Sequence, residues 1–322
     1  MQLTNSIILI TGGTGTFGAA FLNRCLLRGA KEIRIFSRDE KKQYSMMHQY
    51  PEQKVKFIIG DVRDRESLDR AIKDVDIVFH AAAMKHVPFC ERFPFEAIQT
   101  NIIGSENVIA SSIEHNVKKV ICLSTDKAVY PTSMMGLTKA CMEKIALGKA
   151  AEQSGTKICI TRFNNLIMSN GSVIPFFLKT ASEEKPLKIT DPEMTRFFIS
   201  IEEAMDLVEW ASCNGNNGDI VTKIGEAWTL ENVAKAVNIL NNRPENSFVV
   251  IGARDGERKH EPTITLEEAL RAIKEGDYIV IPAVQNKQTS FSLPLWSNEA
   301  RSSTIAEIKQ RIASEMENIK II

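Results

Sequence analysis

The chain has 322 residues, and its forty lysines and arginines are balanced by forty aspartates and glutamates. Such neutrality supplies no basic field for a nucleic-acid backbone, so no nucleic-acid partner is expected. With 43% hydrophobic and 25% charged residues the composition is that of a globular protein, and no apolar run approaches the roughly 20 residues of a membrane span, so no membrane partner is expected either.

Short runs rich in β-branched residues recur between helix-like segments: Ile7–Thr11, Glu32–Phe36, Val55–Ile59, Asp76–His80, Lys118–Leu123 and Lys157–Thr161. Strands alternating with helices imply a parallel sheet, and their near-continuous apolar character implies cover on both faces. The expected fold is therefore α/β, a doubly wound parallel sheet with a smaller C-terminal lobe. Residues 1–163 form the expected dinucleotide-binding domain, with part of 195–225 returning to it, and 164–322 the substrate lobe and tail. Helices are expected over Ile201–Ser212 and Leu230–Leu240, with an amphipathic segment at Ile305–Ile319.

The first strand runs into Gly12-Gly13-Thr14-Gly15-Thr16-Phe17-Gly18, and a helix through Leu22, Leu26 and Leu27 follows. Strand, glycine turn and helix in that order are what a dinucleotide pyrophosphate requires. Gly12 makes the tight turn, Gly15 lets the backbone approach, and Gly18 permits close helix packing. The second strand ends in Ser37-Arg38-Asp39, so a hydroxyl and a guanidinium precede the acid. That order suits a 2′-phosphate and favours NADP over NAD. Asp61, followed by Val62, ends the third strand, where a carboxylate can meet an adenine amino group. Ala81, Ala82 and Ala83 offer a floor of small side chains for the nicotinamide ribose.

The fifth strand delivers Ser124-Thr125-Asp126-Lys127 to the carboxyl edge of the sheet, and Lys139 follows on a helix beginning near Gly136. After Arg162 the rhythm loosens into Asn- and Pro-containing stretches, where the second lobe should begin. The six cysteines show no metal-ligand spacing, so no metal site is expected, and they read as reduced thiols. Without a basic leader before the first apolar stretch, the expected compartment is the cytoplasm.

Together, TGGTGTFG (Thr11–Gly18), SRDEKKQ (Ser37–Gln43), GDVRD (Gly60–Asp64), AAAMKHVP (Ala81–Pro88), TNIIGSENV (Thr100–Val108), STDKAVYP (Ser124–Pro131) and TDPEMTRF (Thr190–Phe197) resemble the extended short-chain dehydrogenase/reductase superfamily. Within it, the chain resembles the inverting, capsule-type UDP-N-acetylglucosamine 4,6-dehydratases. The resemblance implies an NADP-dependent lyase acting on a UDP-sugar for surface polysaccharide synthesis. It further implies a homo-oligomer, with a hexamer among the candidate states. Asp126 would protonate the departing C6 hydroxyl, Lys127 would remove the C5 proton, and Lys139 would hold the nicotinamide ribose. The first two roles demand a partly protonated Asp126 and a partly neutral Lys127.

The superfamily's Tyr-x-x-x-Lys pattern has Met135 in place of the tyrosine, a variant shared with some capsule-type members. A thioether cannot exchange a proton, which leaves Thr125, Lys127 or Tyr130 to deprotonate the C4 hydroxyl. For the sugar nucleotide the resemblance points to Lys85, His86, Asn101, Asn165, Val173, Thr195, Arg196, Arg254, Glu257 and Glu261. Arginines would grip the diphosphate and glutamates the ribose hydroxyls. Phe163, Asn164 and Asn170 depart from the family pattern. The alternatives are a nucleotide-sugar 4-epimerase, which has no use for an acid–base pair at C5 and C6, and a non-catalytic NADP-binding homologue.

Overall fold

All six expected strands form, each within two residues of its expected bounds, in a computed structural model that describes residues 3–50, 53–153, 155–283 and 296–321. The first half runs β1 (Ile7–Thr11), α1 (Thr16–Leu27), β2 (Glu32–Ser37), α2 (Glu40–Met47), β3 (Val55–Ile59), α3 (Arg65–Ile72) and β4 (Ile77–His80). There follow α4 (Val87–Arg92), α5 (Pro94–Ile98) and a π-helical turn, Gln99–Ile103, that continues into α6 (Gly104–Glu114). Next come β5 (Lys119–Thr125), α7 (Met134–Glu152), β6 (Lys157–Phe163), β7 (Asn165–Leu166), α8 (Val173–Ser182), β8 (Leu187–Ile189), β9 (Thr195–Ile199) and α9 (Ile201–Asn214). The remainder is β10 (Ile220–Thr222), β11 (Glu226–Thr229), α10 (Leu230–Leu240), β12 (Phe248–Val250), α11 (Leu266–Ala269), β13 (Ile273–Glu275), β14 (Tyr278–Ile281) and α12 (Ile305–Ile321). Many helices start on a side chain that accepts from a first-turn amide: Asp39, Asp64, Ser133, Ser200, Thr229 and Thr265 do this for α2, α3, α7, α9, α10 and α11.

Nine strands make one sheet in the order β13-β14-β10-β6-β5-β4-β1-β2-β3, parallel from β3 to β10 and antiparallel at β14 and β13. The strand order reverses between β1 and β4, which opens a crevice at their carboxyl ends. Adjacent residues of β1 are buried on opposite faces: Ile8 and Ile10 pack with Phe21 of α1 and Val208 of α9, whereas Leu9 packs with Leu68 of α3, Val108 of α6 and Met142 of α7. This two-sided cover is why the strands read as unbroken apolar runs.

The helix α9 is fastened to the large sheet by charge. Buried Lys119 at the start of β5 donates from Nζ to the carbonyls of Ala211 (3.0 Å), Ser212 (2.8 Å) and Gly215 (2.7 Å). It thereby satisfies the last turn of the helix with the sign its dipole favours. The smaller lobe has its own core around Trp228, Phe177, Ile189, Val237, Ile308 and Ile312, with two small sheets, β11-β9-β7 and β12-β8.

One boundary needs correction. The sequence reading left everything after residue 225 in the second lobe, but β13 and β14 extend the large sheet, and Ile264 and Ala269 join its core. These strands are only three and four residues long, so only their pairing reveals them. No helix among the described residues is long and apolar enough to cross a membrane.

Candidate functional site

Backbone geometry shapes the glycine turn. Gly12 has φ +66°, and a Cβ there would lie 2.7 Å from the Ala82 amide nitrogen. A Cβ on Gly18 would lie 2.5 Å from Gly13 Cα, so both positions require glycine. Helix α1 starts at Gly15 with no side-chain cap and no acid in its first turn, which leaves its amides directed at an anion site.

Beside it, Thr14 Oγ1 and Ser37 Oγ share a 2.8 Å hydrogen bond. Asp39 is engaged as the cap of α2, accepting from the Lys42 amide at 3.0 Å, so Arg38 is the group presented at the strand tip. The Arg38 side chain is 60% exposed and lies 3.7 Å from Asp61. Asp61 is gripped more closely by Arg63, at 2.7 Å, a residue to which sequence reasoning gave no role. Burial raises the Asp61 carboxyl, but Arg63 and Arg38 outweigh it and hold it below its usual value. Val62 does not line the crevice; it is buried against Gly104, where a Cβ would come within 2.6 Å of its Cγ2. The floor is pinned by Thr11, whose carbonyl accepts from the Ala81 amide (3.1 Å) and whose hydroxyl accepts from the Ala82 amide (3.3 Å). That hydroxyl also meets His80 Nδ1 at 2.8 Å, and His80 Nε2 meets Ser105 Oγ at 2.8 Å. Burial, with Lys139 adding to it, pushes the His80 imidazole down to about 3, so it is a neutral relay of structure.

A cavity of about 1420 Å³ runs from this turn into the smaller lobe, lined on the near side by Thr16, Phe17, Ala81, Ala83, Thr125, Lys127, Met135 and Lys139. Lys139 donates to the Leu123 carbonyl at 2.8 Å, and burial pushes its ammonium down to about 8. Asp126 is 1% exposed and does not line the cavity. Its Oδ1 accepts from Thr125 Oγ1 and from Lys127 Nζ, both at 3.0 Å, so these two side chains carry its chemistry to the cavity. Lys127 Nζ also donates to Asn165 Oδ1 at 3.0 Å and sits 3.7 Å from Glu261. Burial lowers the Lys127 ammonium, yet Asp126 and Glu261 outweigh it and hold it above its usual value. The expectation of a partly neutral Lys127 is thus corrected: two carboxylates keep its proton on.

On the far side, Lys85, His86, Asn165, Val173, Arg196, Arg254, Glu257 and Glu261 all line the cavity. His86 is seated over Gly171 (φ +76°), where a Cβ would come within 2.3 Å of its ring. Burial and the adjacent Lys85 lower its imidazole, leaving it neutral at pH 7. Arg196 donates to the carbonyls of Thr195, Lys259 and Arg258, which makes it the strut of the 258–261 segment. Among the described residues Arg254 has no ion pair for its guanidinium.

Two expected substrate contacts belong instead to the frame. Asn101 is fully buried; it accepts from the Met84 amide (2.7 Å) and donates to the Met84 carbonyl and Thr138 Oγ1 (both 3.0 Å). Thr195 Oγ1 meets His260 Nδ1 (2.8 Å) and Ser297 Oγ (2.6 Å) away from the cavity. Tyr130 likewise turns away: its hydroxyl accepts from the Leu266 amide at 2.9 Å and donates to Glu267 at 3.2 Å.

The departures from the family pattern are accommodated locally. Asn164 is buried, accepting from the Gly225 amide (2.9 Å) and donating to Thr263 (3.3 Å), and the Asn170 amide donates to Thr16 Oγ1 at 3.2 Å. Sequence reasoning also missed Arg162, buried between Glu143 (2.7 Å) and Glu268 (2.6 Å), with Ser124 donating to Glu143 at 2.6 Å. This network anchors the residue that precedes Thr125 to β6, α7 and α11.

The family model described as polysaccharide biosynthesis protein matches residues 8–283. A protein named UDP-glucose 4-epimerase from Rickettsia rickettsii (strain Sheila Smith) is 50% identical over 288 residues, which cover 87% of this chain and 84% of that protein. A Rickettsia bellii (strain OSU 85-389) protein of the same name is 50% identical over 287 residues, with the same 87% and 84% coverage. Among solved structures, Pen from Bacillus thuringiensis superposes with a TM-score of 0.92 at 31% identity, over 98% of this chain and 100% of that one. DesIV, a dTDP-glucose 4,6-dehydratase from Streptomyces venezuelae solved with NAD and TYD bound, shares the fold at a TM-score of 0.71 and 21% identity, over 78% of this chain and 86% of that one.

Proposed function

The chain belongs to the polysaccharide biosynthesis protein family, as a nucleotide-sugar-modifying enzyme of extended short-chain dehydrogenase/reductase type, and on that premise we propose that it is an NADP-dependent 4,6-dehydratase of UDP-N-acetylglucosamine that inverts C5. The residues present fit the cofactor: a turn whose Gly12 and Gly18 exclude a side chain, an uncapped helix end, and Arg38 free of capping duty at the strand tip. The Gly12–Gly18 turn would hold the pyrophosphate, Thr14, Ser37 and Arg38 the 2′-phosphate, Asp61 the adenine, and Ala81–Ala83 with Lys139 the nicotinamide ribose. Held there, NADP would supply the hydride acceptor and donor that the chemistry at C4 and C6 requires.

The chain's own residues handle protons. Thr125 can accept the C4 hydroxyl proton while passing its own to Asp126 Oδ1 along the existing 3.0 Å hydrogen bond. Asp126 is then the acid that the departing C6 hydroxyl needs, and Thr125 returns the proton. Lys127 stands at the cavity where the C5 proton is acidified once C4 is a ketone, and as an ammonium it must pass one proton on as it takes that one. Lys85, Arg254 and Glu257 would receive the uridine diphosphate at the far end.

The observation that carries this reading is the Thr125–Asp126–Lys127 relay opening on the cavity, since C4 oxidation alone needs no second acid–base pair. The second reading, a UDP-sugar 4-epimerase, is favoured by the name that the half-identical relatives carry. Incubating the protein with UDP-N-acetylglucosamine and catalytic NADP⁺ in deuterated water separates the two. A 4-keto-6-deoxy sugar with deuterium at C5 is the expected product; the C4 epimer would move the assignment to the second reading.

A further inference from the structure

Glu261 lies far from the Asp126–Lys127 pair in sequence and next to it in space. Its side chain is 5% exposed, although the residue lines the cavity. Oε1 is 3.7 Å from both Lys127 Nζ and Arg196 Nε, and Oε2 is 3.8 Å from Arg258 Nη1. These are ion pairs beyond hydrogen-bond length, and Oε2 is buried without a hydrogen-bond partner among the described residues. A buried carboxylate oxygen without a donor is costly to the fold, which argues for a use elsewhere.

Proton counting shows the use. Two protons leave the sugar before water does, one from the C4 hydroxyl and one from C5. Asp126 takes the first through Thr125. Lys127, flanked by Asp126 and Glu261, begins as an ammonium with no lone pair to offer. Met135, where the superfamily has a tyrosine, offers only a thioether and does not take up that role.

Resting on the dehydratase reading above, we propose that Glu261 is the second proton acceptor of the site, taking a proton from Lys127 Nζ as Lys127 takes the C5 proton. The C5–H bond breaks, and its electron pair stays on the sugar as the enolate of the C4 ketone. One N–H bond forms at Lys127, another breaks, and the released proton ends on Glu261. No electrons are exchanged with the protein. Water then leaves with the proton stored on Asp126, and the enolate pair forms the C5–C6 double bond. Once C6 carries its hydride, a solvent proton enters C5 on the face opposite Lys127, which inverts that centre, and Glu261 releases its proton through Lys127 to the water of the cavity, so the site ends as it began. Glu261 acts through Lys127 and is in that sense a positioning residue for its proton.

The test compares the full-length protein with Glu261→Gln and Glu261→Asp, using UDP-N-acetylglucosamine and NADP⁺ in deuterated water, with binding of UDP alone read by calorimetry. Glu261→Gln is expected to lower C5 deuterium incorporation about 100-fold or more while UDP affinity and KM stay within about twofold. Aspartate, which keeps the carboxylate, should restore part of the exchange rate that glutamine loses. A parallel loss of UDP affinity, with exchange per bound sugar unchanged, overturns the proposal and returns Glu261 to ribose binding. Should glutamine leave Lys127, Arg196 and Arg258 too unbalanced to fold, the aspartate variant decides: its carboxylate is one methylene farther from Lys127, and C5 exchange equal to that of the unmodified protein overturns the proposal. An unmodified protein that forms no 4-keto-6-deoxy product overturns the dehydratase reading, and this inference with it. A wild-type product carrying C5 deuterium alongside an unaffected Glu261→Gln variant removes only the role of Glu261.

Discussion

The two ends of the cavity are built by opposite means. At the glycine turn, on the proposed reading, the main chain would do the binding, and the residues concerned fall within one short segment: Gly12, Gly15 and Gly18 matter for the side chains they lack. At the proposed sugar end the side chains would do it, and they converge from the residues just after β5, from β7, from β9 and from the segment before α11. A main-chain site is fixed by local conformation, whereas a side-chain site exists only once distant segments have packed. The first should tolerate damage at the second, and the converse should hold less well.

The sharpest way to separate the ends is Lys127→Ala. It should cut C5 proton exchange about a thousandfold and leave NADP binding intact in a titration; unchanged exchange would remove Lys127 as the base. Arg162→Met attacks the frame shared by both ends, because it strands Glu143 and Glu268 as buried charges. A loss of about 3–4 kcal/mol in denaturant unfolding is expected. The loss should ease in acid. Burial raises the Glu268 carboxyl, but Arg162 prevails and holds it below its usual value, so the pair's contribution is fully present above the usual carboxylate range and disappears as pH falls through the folded value. A mutant deficit that stays constant down to pH 3 would break this account.

Lys119→Met tests how firmly α9 is tied to the cofactor half. With Ser212 and Gly215 losing this donor and Ala211 keeping the Gly215 amide, the cost should be about 2 kcal/mol, and amide exchange should be fastest at the end of α9. The smallest effect concerns Arg38, the side chain proposed to set cofactor choice in the main-chain half. Arg38→Ala should weaken NADP binding about tenfold while barely altering NAD binding, and equal losses would show that Arg38 does not read the 2′-phosphate.

The same contrast explains what could be read in advance. Six strands, the glycine turn, the helices at Ile201, Leu230 and Ile305, and the arrival of Thr125-Asp126-Lys127 at the sheet edge follow from residues adjacent in the chain. Their signal is periodicity and turn chemistry, which survive in a linear text. Asn101 and Thr195 read as ligands because they sit in telling motifs, yet a buried amide and a buried hydroxyl were needed to satisfy Met84 and His260. Nothing local distinguishes a polar residue that faces a cavity from one that completes a frame.

The sequence by itself determined the doubly wound sheet, the main-chain turn and the composition of the reactive strand end, because each depends on neighbours within a few residues. Only tertiary structure decided that Asp126 lies behind Thr125, that Glu261 flanks Lys127, that Arg162 bridges two glutamates and that β13 and β14 rejoin the sheet. Those outcomes depend on burial and on charges brought together by packing, and both are properties of the folded interior.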